Sequence, residues 1–339
     1  MSYSNTTPIT PTMSSTTSEQ TVPTVNNVVY SDIRFINFPI PNEEECDTLG
    51  ITTEQGQWVR IVDSVDGYKN CHYLTRLDGT VDPSVAHIRG IILSPDNRVV
   101  CRSVIYTPEK SMDQFDPQEH GTLTWHVAPE GTVIRLFCDN GEWYISTLRK
   151  IDAYQSSVHT KSFGELFDDV IRHKSDTGID TRTLDQSHVY TFLMVHPKNR
   201  IIYTVDAYDI YLINVYDRTN DTYKDPSLYL TDSFVSHPRT LDISTPEELT
   251  AFVNTCNTYD SSGIIGIDAN NVARVKNVPQ QYLEFKQMRG HNPSIAYRYL
   301  ELWSKKEDTD AYETFFDTHQ EDITRMKEKI TKLVSKVHS

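Results

Sequence analysis

From about residue 28 onward the chain is a succession of short runs rich in β-branched and aromatic residues, separated by turn-forming residues. The runs at 58–62, 87–93, 99–104, 132–137 and 143–147 predict strands. Ser94-Pro95-Asp96-Asn97 and Cys138-Asp139-Asn140-Gly141 lie between neighbouring runs and read as hairpin turns. At 162–171 the alternation gives way to a three-four spacing that puts Phe163, Leu166, Phe167 and Val170 on one face, which predicts a helix. Strands return at 189–195, 200–205, 208–216, 263–267 and 272–275. A capped helix begins at Ser244-Thr245-Pro246-Glu247-Glu248 and runs to about Asn254. The pattern as a whole predicts an α+β protein, an antiparallel sheet with a few helices packed on it.

The two ends differ from this texture. Residues 1–27 are dominated by Ser, Thr, Pro, Asn and Val with almost no charge, too little apolar surface to offset the entropy of ordering them, and they read as a flexible arm. From about Asp308, apolar or aromatic residues fall at Phe316, Ile323, Met326, Ile330, Leu333 and Val337, with His319 in the one gap. This spacing predicts an amphipathic helix that packs on its own domain or, alternatively, pairs with another chain. The expected organisation is an arm at 1–27, one main domain at 28–300 and a helix at 301–339.

Composition narrows the function classes. The formal net charge is −15, from 47 acidic and 32 basic residues, which argues against a surface that grips a phosphate backbone everywhere and leaves room only for a local basic cleft. The five cysteines are scattered without paired spacing and are expected to be reduced and mostly buried. No run is apolar enough to span a bilayer, and the N-terminus lacks a secretory pattern, so a soluble intracellular protein without membrane contact is expected. The twelve histidines show no ligand spacing. Asp168-Asp169 and Asp206/Asp209 are weak cation candidates that read more simply as solvated faces. Phosphate-binding Gly-rich loops and nucleophile elbows are absent from the sequence, which removes the usual support for ATPase, dehydrogenase and hydrolase readings.

One ordered series carries more. Arg89-Gly90-Ile91-Ile92-Leu93, Val99-Val100-Cys101-Arg102-Ser103, Pro129-Glu130-Gly131-Thr132-Val133-Ile134-Arg135 and Gly141-Glu142-Trp143-Tyr144-Ile145-Ser146-Thr147 follow one another. Further on come His196-Pro197-Lys198-Asn199-Arg200-Ile201-Ile202-Tyr203, Ser262-Gly263-Ile264-Ile265 and Ala273-Arg274-Val275-Lys276. Over about residues 85–280 this resembles the adenylation domain of phage-type RNA ligases, with its Arg-Gly strand, Lys-x-Asp-Gly-Ser turn, Pro-x-Asn-Arg strand start, Glu-Gly strand and Lys-x-Lys segment. With Ser162-Phe163-Gly164-Glu165-Leu166-Phe167, Arg289-Gly290-His291-Asn292-Pro293-Ser294 and Arg298-Tyr299-Leu300, the block also looks like ligase-related proteins of large DNA viruses. The resemblance implies an antiparallel-sheet nucleotidyltransferase domain of the RNA-ligase or ATP-grasp-like kind, a nucleotide or RNA ligand, and ATP with Mg if the chain is active.

The resemblance also exposes departures. Ligase chemistry needs a lysine amine to attack the α-phosphate, and carboxylates to hold metal. If Glu130-Gly131-Thr132 stands for Asp-Gly-Ser, the nucleophile position is Ala128, and the two carboxylate positions fall on Leu193 and Ser262. Arg89, Glu130, Gly131, Arg135, Arg149, Lys150, Asn199, Arg200, Arg274 and Lys276 remain as candidate nucleotide- or phosphate-binding residues. The plainer reading of the cations is solvated charge at strand ends. Three functions follow: a non-catalytic nucleotide- or RNA-end-binding or interaction module that uses the arm and the C-terminal helix for assembly, an active ligase or nucleotidyltransferase that recruits Lys150 or Lys110, and a structural virion component without ligand.

Overall fold

The computed structural model describes residues 38–338 other than 77–78, 159–160, 232, 291–294, 308 and 317–319. The arm at 1–27, His319 and residues 291–294 therefore lie outside the described residues. The chain opens with two short capped helices, α1 (Glu43–Leu49) and α2 (Thr53–Gly56), and then forms an antiparallel sheet of β1 (Val59–Val65), β2 (Tyr68–Tyr73), β3 (Arg89–Leu93) and β4 (Val99–Cys101) in that order.

Two further sheets hold the rest. After β5 (Glu109–Lys110) and α3 (Pro117–His120), β6 (Thr124–Ala128) and β7 (Thr132–Asp139) run in succession but belong to different sheets. β7 joins β8 (Glu142–Thr147) through a turn at Asn140-Gly141. A small pair, β9 (Ser157–Val158) and β10 (Lys161–Ser162), leads into α4 (Phe163–Lys174). Then come β11 (His188–Val195), β12 (Asp209–Asp217) and β13 (Thr222–Lys224), which with β7 and β8 make a five-stranded antiparallel sheet in the order β13-β12-β11-β7-β8. α5 (Pro246–Val253) precedes β14 (Gly263–Ile267) and β15 (Ala273–Asn277), and the third sheet has the order β5-β15-β14-β6, antiparallel except for the parallel β5–β15 pair. The expected mixture of antiparallel sheet and packed helices is thus the observed α+β architecture.

Side-chain alternation explains the layers. Along β7, β11 and β12, Ile134, Leu136, Tyr190, Phe192, Met194, Ile210 and Leu212 point to one face and meet Leu166, Phe167 and Val170 of α4. α4 starts on a reciprocal cap, the Ser162 hydroxyl accepting from the Glu165 N–H while the Glu165 carboxylate accepts from the Ser162 N–H at 2.7 Å. In the third sheet Trp125, Val127, Ile264 and Val275 pack under Leu249 and Val253 of α5. All five cysteines are free and buried.

Two expectations change. Residues 200–205 form no strand, because the backbone N–H groups of Ile202 and Tyr203 donate to the Glu130 carboxylate instead of to a neighbouring strand. Residues 301–339 are not one helix but fall across α7 (Ile295–Lys305), α8 (Thr309–Phe315) and α9 (Gln320–His338), which follow α6 (Gln280–Arg289). The three-four spacing persists across the break because Phe316 and Ile323, both fully buried, face the same cluster of Ile295, Tyr299, Leu302 and Tyr312.

Candidate functional site

The segment Pro129-Glu130-Gly131 is the hinge through which the chain passes from the third sheet into the five-stranded one. Ala128, buried at the end of β6, pairs with Gly263, and its carbonyl accepts both the N–H of Ser262 at 3.0 Å and the Ser262 hydroxyl at 2.9 Å. At Gly131 a Cβ would come within 2.5 Å of the Met194 carbonyl oxygen and 3.0 Å of Leu193 Cγ, so β11 lies directly over the hinge. Ser262 and Leu193, far apart in sequence, therefore stand at the two ends of the Ala128–Gly131 hinge, Ser262 on Ala128 and Leu193 over Gly131.

Glu130 is buried there and acts as a backbone anchor. One carboxylate oxygen accepts from the N–H groups of Ile202 and Tyr203 at 3.0 and 2.9 Å, and its own N–H donates to the Tyr259 carbonyl. Burial pushes its carboxyl above the ordinary range, opposed by those two N–H groups and by Lys276. Asn199 donates to the Thr132 hydroxyl at 2.7 Å, which fastens the His196–Arg200 segment to the start of β7.

The candidate cations divide into groups. Arg135 is fully enclosed, its guanidinium donating to the carbonyls of Gly90 and Thr147. Gly90 has φ +78°, and a Cβ there would meet the Leu148 carbonyl oxygen at 2.5 Å, so the close approach of β3 to the β8 end needs glycine. Burial first, then Arg149, lowers the buried His72, which pairs with Arg89 across β2 and β3, to about 3, with Arg89 and Arg135 adding to the same effect. Lys150 instead pairs with Asp63 of β1 at 2.8 Å, and half-exposed Arg274 pairs with Asp268.

Lys276 and Arg200 stand nearer the hinge. The register His126–Ile265–Lys276–Glu109 puts Lys276 on the face of the third sheet opposite α5. Its ammonium lies 3.5 Å from Glu109 and 4.9 Å from the centre of the Tyr282 ring. Glu109 also receives Lys286; burial raises its carboxyl, and the two lysines bring it below the ordinary range. Arg200 donates to the Ile202 carbonyl at 2.9 Å, with its guanidinium over the rings of Phe315 at 4.7 Å and Phe316 at 5.0 Å.

Glu109, Tyr282, Tyr203, His72 and Phe315 were invisible to sequence reading as site neighbours. Glu109 lies in a two-residue strand with no periodicity, His72 is one of twelve histidines without ligand spacing, Tyr203 closes a quoted motif without a role of its own, and Tyr282 and Phe315 read as ordinary apolar positions. Of the weaker candidates, Asp169 takes Lys161 and Arg172, Asp168 accepts from Tyr154, and Asp209 takes Lys174, each with its own partner. Among the described residues no group of three or more His, Cys, Asp or Glu gathers to hold a metal, and no helix is long and apolar enough to cross a membrane.

No protein-family model matches the chain. It is 24% identical over 284 residues to the immediate-early protein ICP-46 homolog of Invertebrate iridescent virus 6, covering 76% of this chain and 62% of that protein. It is 25% identical over 191 residues to immediate-early protein ICP-46 of Frog virus 3, covering 51% of this chain and 48% of that protein, so it spans less than two thirds of either relative. Among solved structures it is similar to an archaeal ATP-dependent RNA ligase (11% identity, 86% of this chain and 79% of that one, TM-score 0.46). A mutant RNA ligase of Naegleria gruberi with ATP and Mn is a second (13% identity, 74% and 85%, TM-score 0.40). The chain is thus similar to iridovirus immediate-early proteins in sequence and to ATP-dependent RNA ligases in structure.

Proposed function

We propose that this chain is a nucleotidyltransferase-fold protein without the lysyl nucleophile, acting in an infected cell as a nucleotide- or RNA-end-binding or interaction module. The hinge at Ala128 carries the reading. Where the resemblance calls for an amine, a buried methyl stands on a backbone whose carbonyl is held twice by Ser262, the residue at one of the carboxylate positions. A methyl group cannot attack phosphorus. Leu193 and Ser262 offer no carboxylate for magnesium, and Glu130 is committed to two backbone N–H groups, so the hinge residues do not fit metal-bound ATP as a reactant. Binding without transfer draws support from Lys276, Arg89 and Arg149, which keep positive charge beside the hinge and the β3–β8 contact.

The test is incubation of the purified chain with α-labelled ATP or GTP and Mg or Mn, followed by denaturing electrophoresis at neutral to alkaline pH, where a lysyl phosphoramidate survives. No adduct is expected. An adduct that disappears in Lys150→Ala or Lys110→Ala would establish the active alternative. Thermal stabilisation by millimolar nucleotide then separates a binding module from a structural protein, because a ligand that binds only the folded state raises the melting temperature.

A further inference from the structure

Lys276, one of the two cations nearest the hinge, already holds an anion of its own chain. Its ammonium, on a side chain only 15% exposed, lies 3.5 Å from one oxygen of the Glu109 carboxylate, while Lys286 of α6 donates to the other oxygen. Two lysines from different elements thus share one carboxylate, an oxygen for each. An ammonium is a point charge without a fixed fork, so the same pair can take two oxygens of a phosphate group in the same way. Buried Tyr282 walls Lys276 on one side, its ring centre 4.9 Å from the ammonium. Lys286 keeps half of its side chain in solvent, so the pair can be reached from outside.

The carboxylate and the two cations are held with unequal firmness. β5, which carries Glu109, is two residues long and forms the edge of its sheet. The Lys276 N–H donates to the Pro108 carbonyl and the Val278 N–H to the Lys110 carbonyl, both at 3.0 Å, which sets Glu109 opposite Lys276. Lys276 itself stands on β15, paired with β14 on its other side, and Lys286 on the ten-residue helix α6. A short edge strand opens at a lower free energy than an interior strand or a packed helix, so the carboxylate can withdraw while both cations stay.

We infer that Lys276 and Lys286 form a polyphosphate site gated by Glu109, whose carboxylate fills the place of the phosphate oxygens until a di- or triphosphate group displaces it. This rests on the nucleotide- or RNA-end-binding reading above and deepens it, adding Lys286, which lies outside the ligase resemblance, and a competitor built into the chain. A nucleoside triphosphate and a 5′-triphosphorylated RNA end both carry the group that the site would recognise.

The experiment titrates the full chain with inorganic tripolyphosphate by calorimetry at low salt. Glu109→Gln is expected to bind about tenfold more tightly than wild type, the gain when a site open in roughly a tenth of the molecules becomes open in all. Glu109→Gln combined with Lys286→Gln is expected to lose that gain. Glu142→Gln removes the same charge from an exposed position of β8 and is expected to bind like wild type. Glu109→Asp keeps the charge but shortens the reach to both lysines; a smaller gain is expected, and this variant carries the test if Glu109→Gln does not fold. The inference is overturned if neither Glu109 variant gains, if the double variant keeps the gain, or if Glu142→Gln gains as much. ATP and a 5′-triphosphorylated oligonucleotide, titrated in parallel, distinguish the two sources of the phosphates. Wild type that binds ATP with no gain in Glu109→Gln sinks the gate and leaves the binding reading standing. A gain for tripolyphosphate with no binding of ATP or the oligonucleotide supports the gate and sinks that reading.

Discussion

Ser262 holds the Ala128 carbonyl through both its N–H and its hydroxyl, which ties together the two residues that the ligase resemblance would put at a carboxylate and at the nucleophile. Both are buried. Ala128→Lys is therefore expected to yield no nucleotide adduct, since the metal-side carboxylates are still missing, and to lower stability by at least about 2 kcal/mol as a long charged side chain enters a closed site. Labelled-ATP gels and chemical denaturation check the two halves. Ser262→Ala removes only one of the two hydrogen bonds and is expected to cost about 1 kcal/mol.

Arg135 links the first sheet to the five-stranded one through the carbonyls of Gly90 and Thr147. Its planar fork reaches both at once, which an ammonium cannot do. Arg135→Lys and Arg135→Met are both expected to destabilise by about 2–4 kcal/mol, seen as a lower urea midpoint. A near-neutral Arg135→Lys with weakened nucleotide binding would instead assign Arg135 to a ligand.

Glu130 supports a segment that forms no strand of its own. Glu130→Ala leaves the N–H groups of Ile202 and Tyr203 without an acceptor in a buried place and is expected to cost about 2–4 kcal/mol. Hydrogen exchange is the sharper readout: protection is lost first at Ile202 and Tyr203, while β11 and β12 keep theirs.

Stability is expected to fall as pH drops below about 6.5, before most carboxylates titrate. His72 donates from Nδ1 to the Tyr73 carbonyl at 2.9 Å, and burial lowers its pKa to about 3, so it is neutral when folded. The unfolded chain takes up that proton near 6.5, hence it binds more protons than the native state between 6.5 and 3. The loss is about 1.4 kcal/mol per pH unit for each such histidine. His87, His126 and His196 are lowered in the same direction, burial being the main cause for each. Asp169, held down at about 2 chiefly by Lys161, contributes only below the ordinary carboxylate range. Urea unfolding at pH 7.0 and 5.0 tests this: His72→Gln should lower the difference by roughly 2 kcal/mol, and an unchanged difference would remove His72 from the account.

Much of the fold was legible because alternation and turns are local. The runs at 132–137 and 143–147 with Asn140-Gly141 between them reappear as β7 and β8, and the Ser162–Glu165 cap starts α4 where the spacing put it. The run at 200–205 misled because a buried carboxylate 70 residues earlier, Glu130, satisfies its backbone; this is a long-range fact that no window of sequence contains. The same limit applies to the hinge. Order along the chain suggested that Ala128, Leu193 and Ser262 belong together, yet only the register of β6 with β14 and the packing of Gly131 under β11 place Ser262 on Ala128 and Leu193 at the adjoining Gly131. The partners of the cations, Asp63 for Lys150, Glu109 for Lys276 and the two phenylalanines for Arg200, had no local signal at all.

Because Phe315 and Phe316 cover the guanidinium of Arg200, and the rings of Phe285 of α6 and Phe315 meet at a tilt with centres 4.4 Å apart, the C-terminal helices are keyed into the main domain by aromatic contacts. A fragment cut near residue 300 would lose half of α7 and strip Phe315 and Phe316 from Arg200 and Phe315 from Phe285. Recombinant truncations should therefore keep α6 through α9, since α6 itself brings buried Tyr282 against Tyr203 and Lys276.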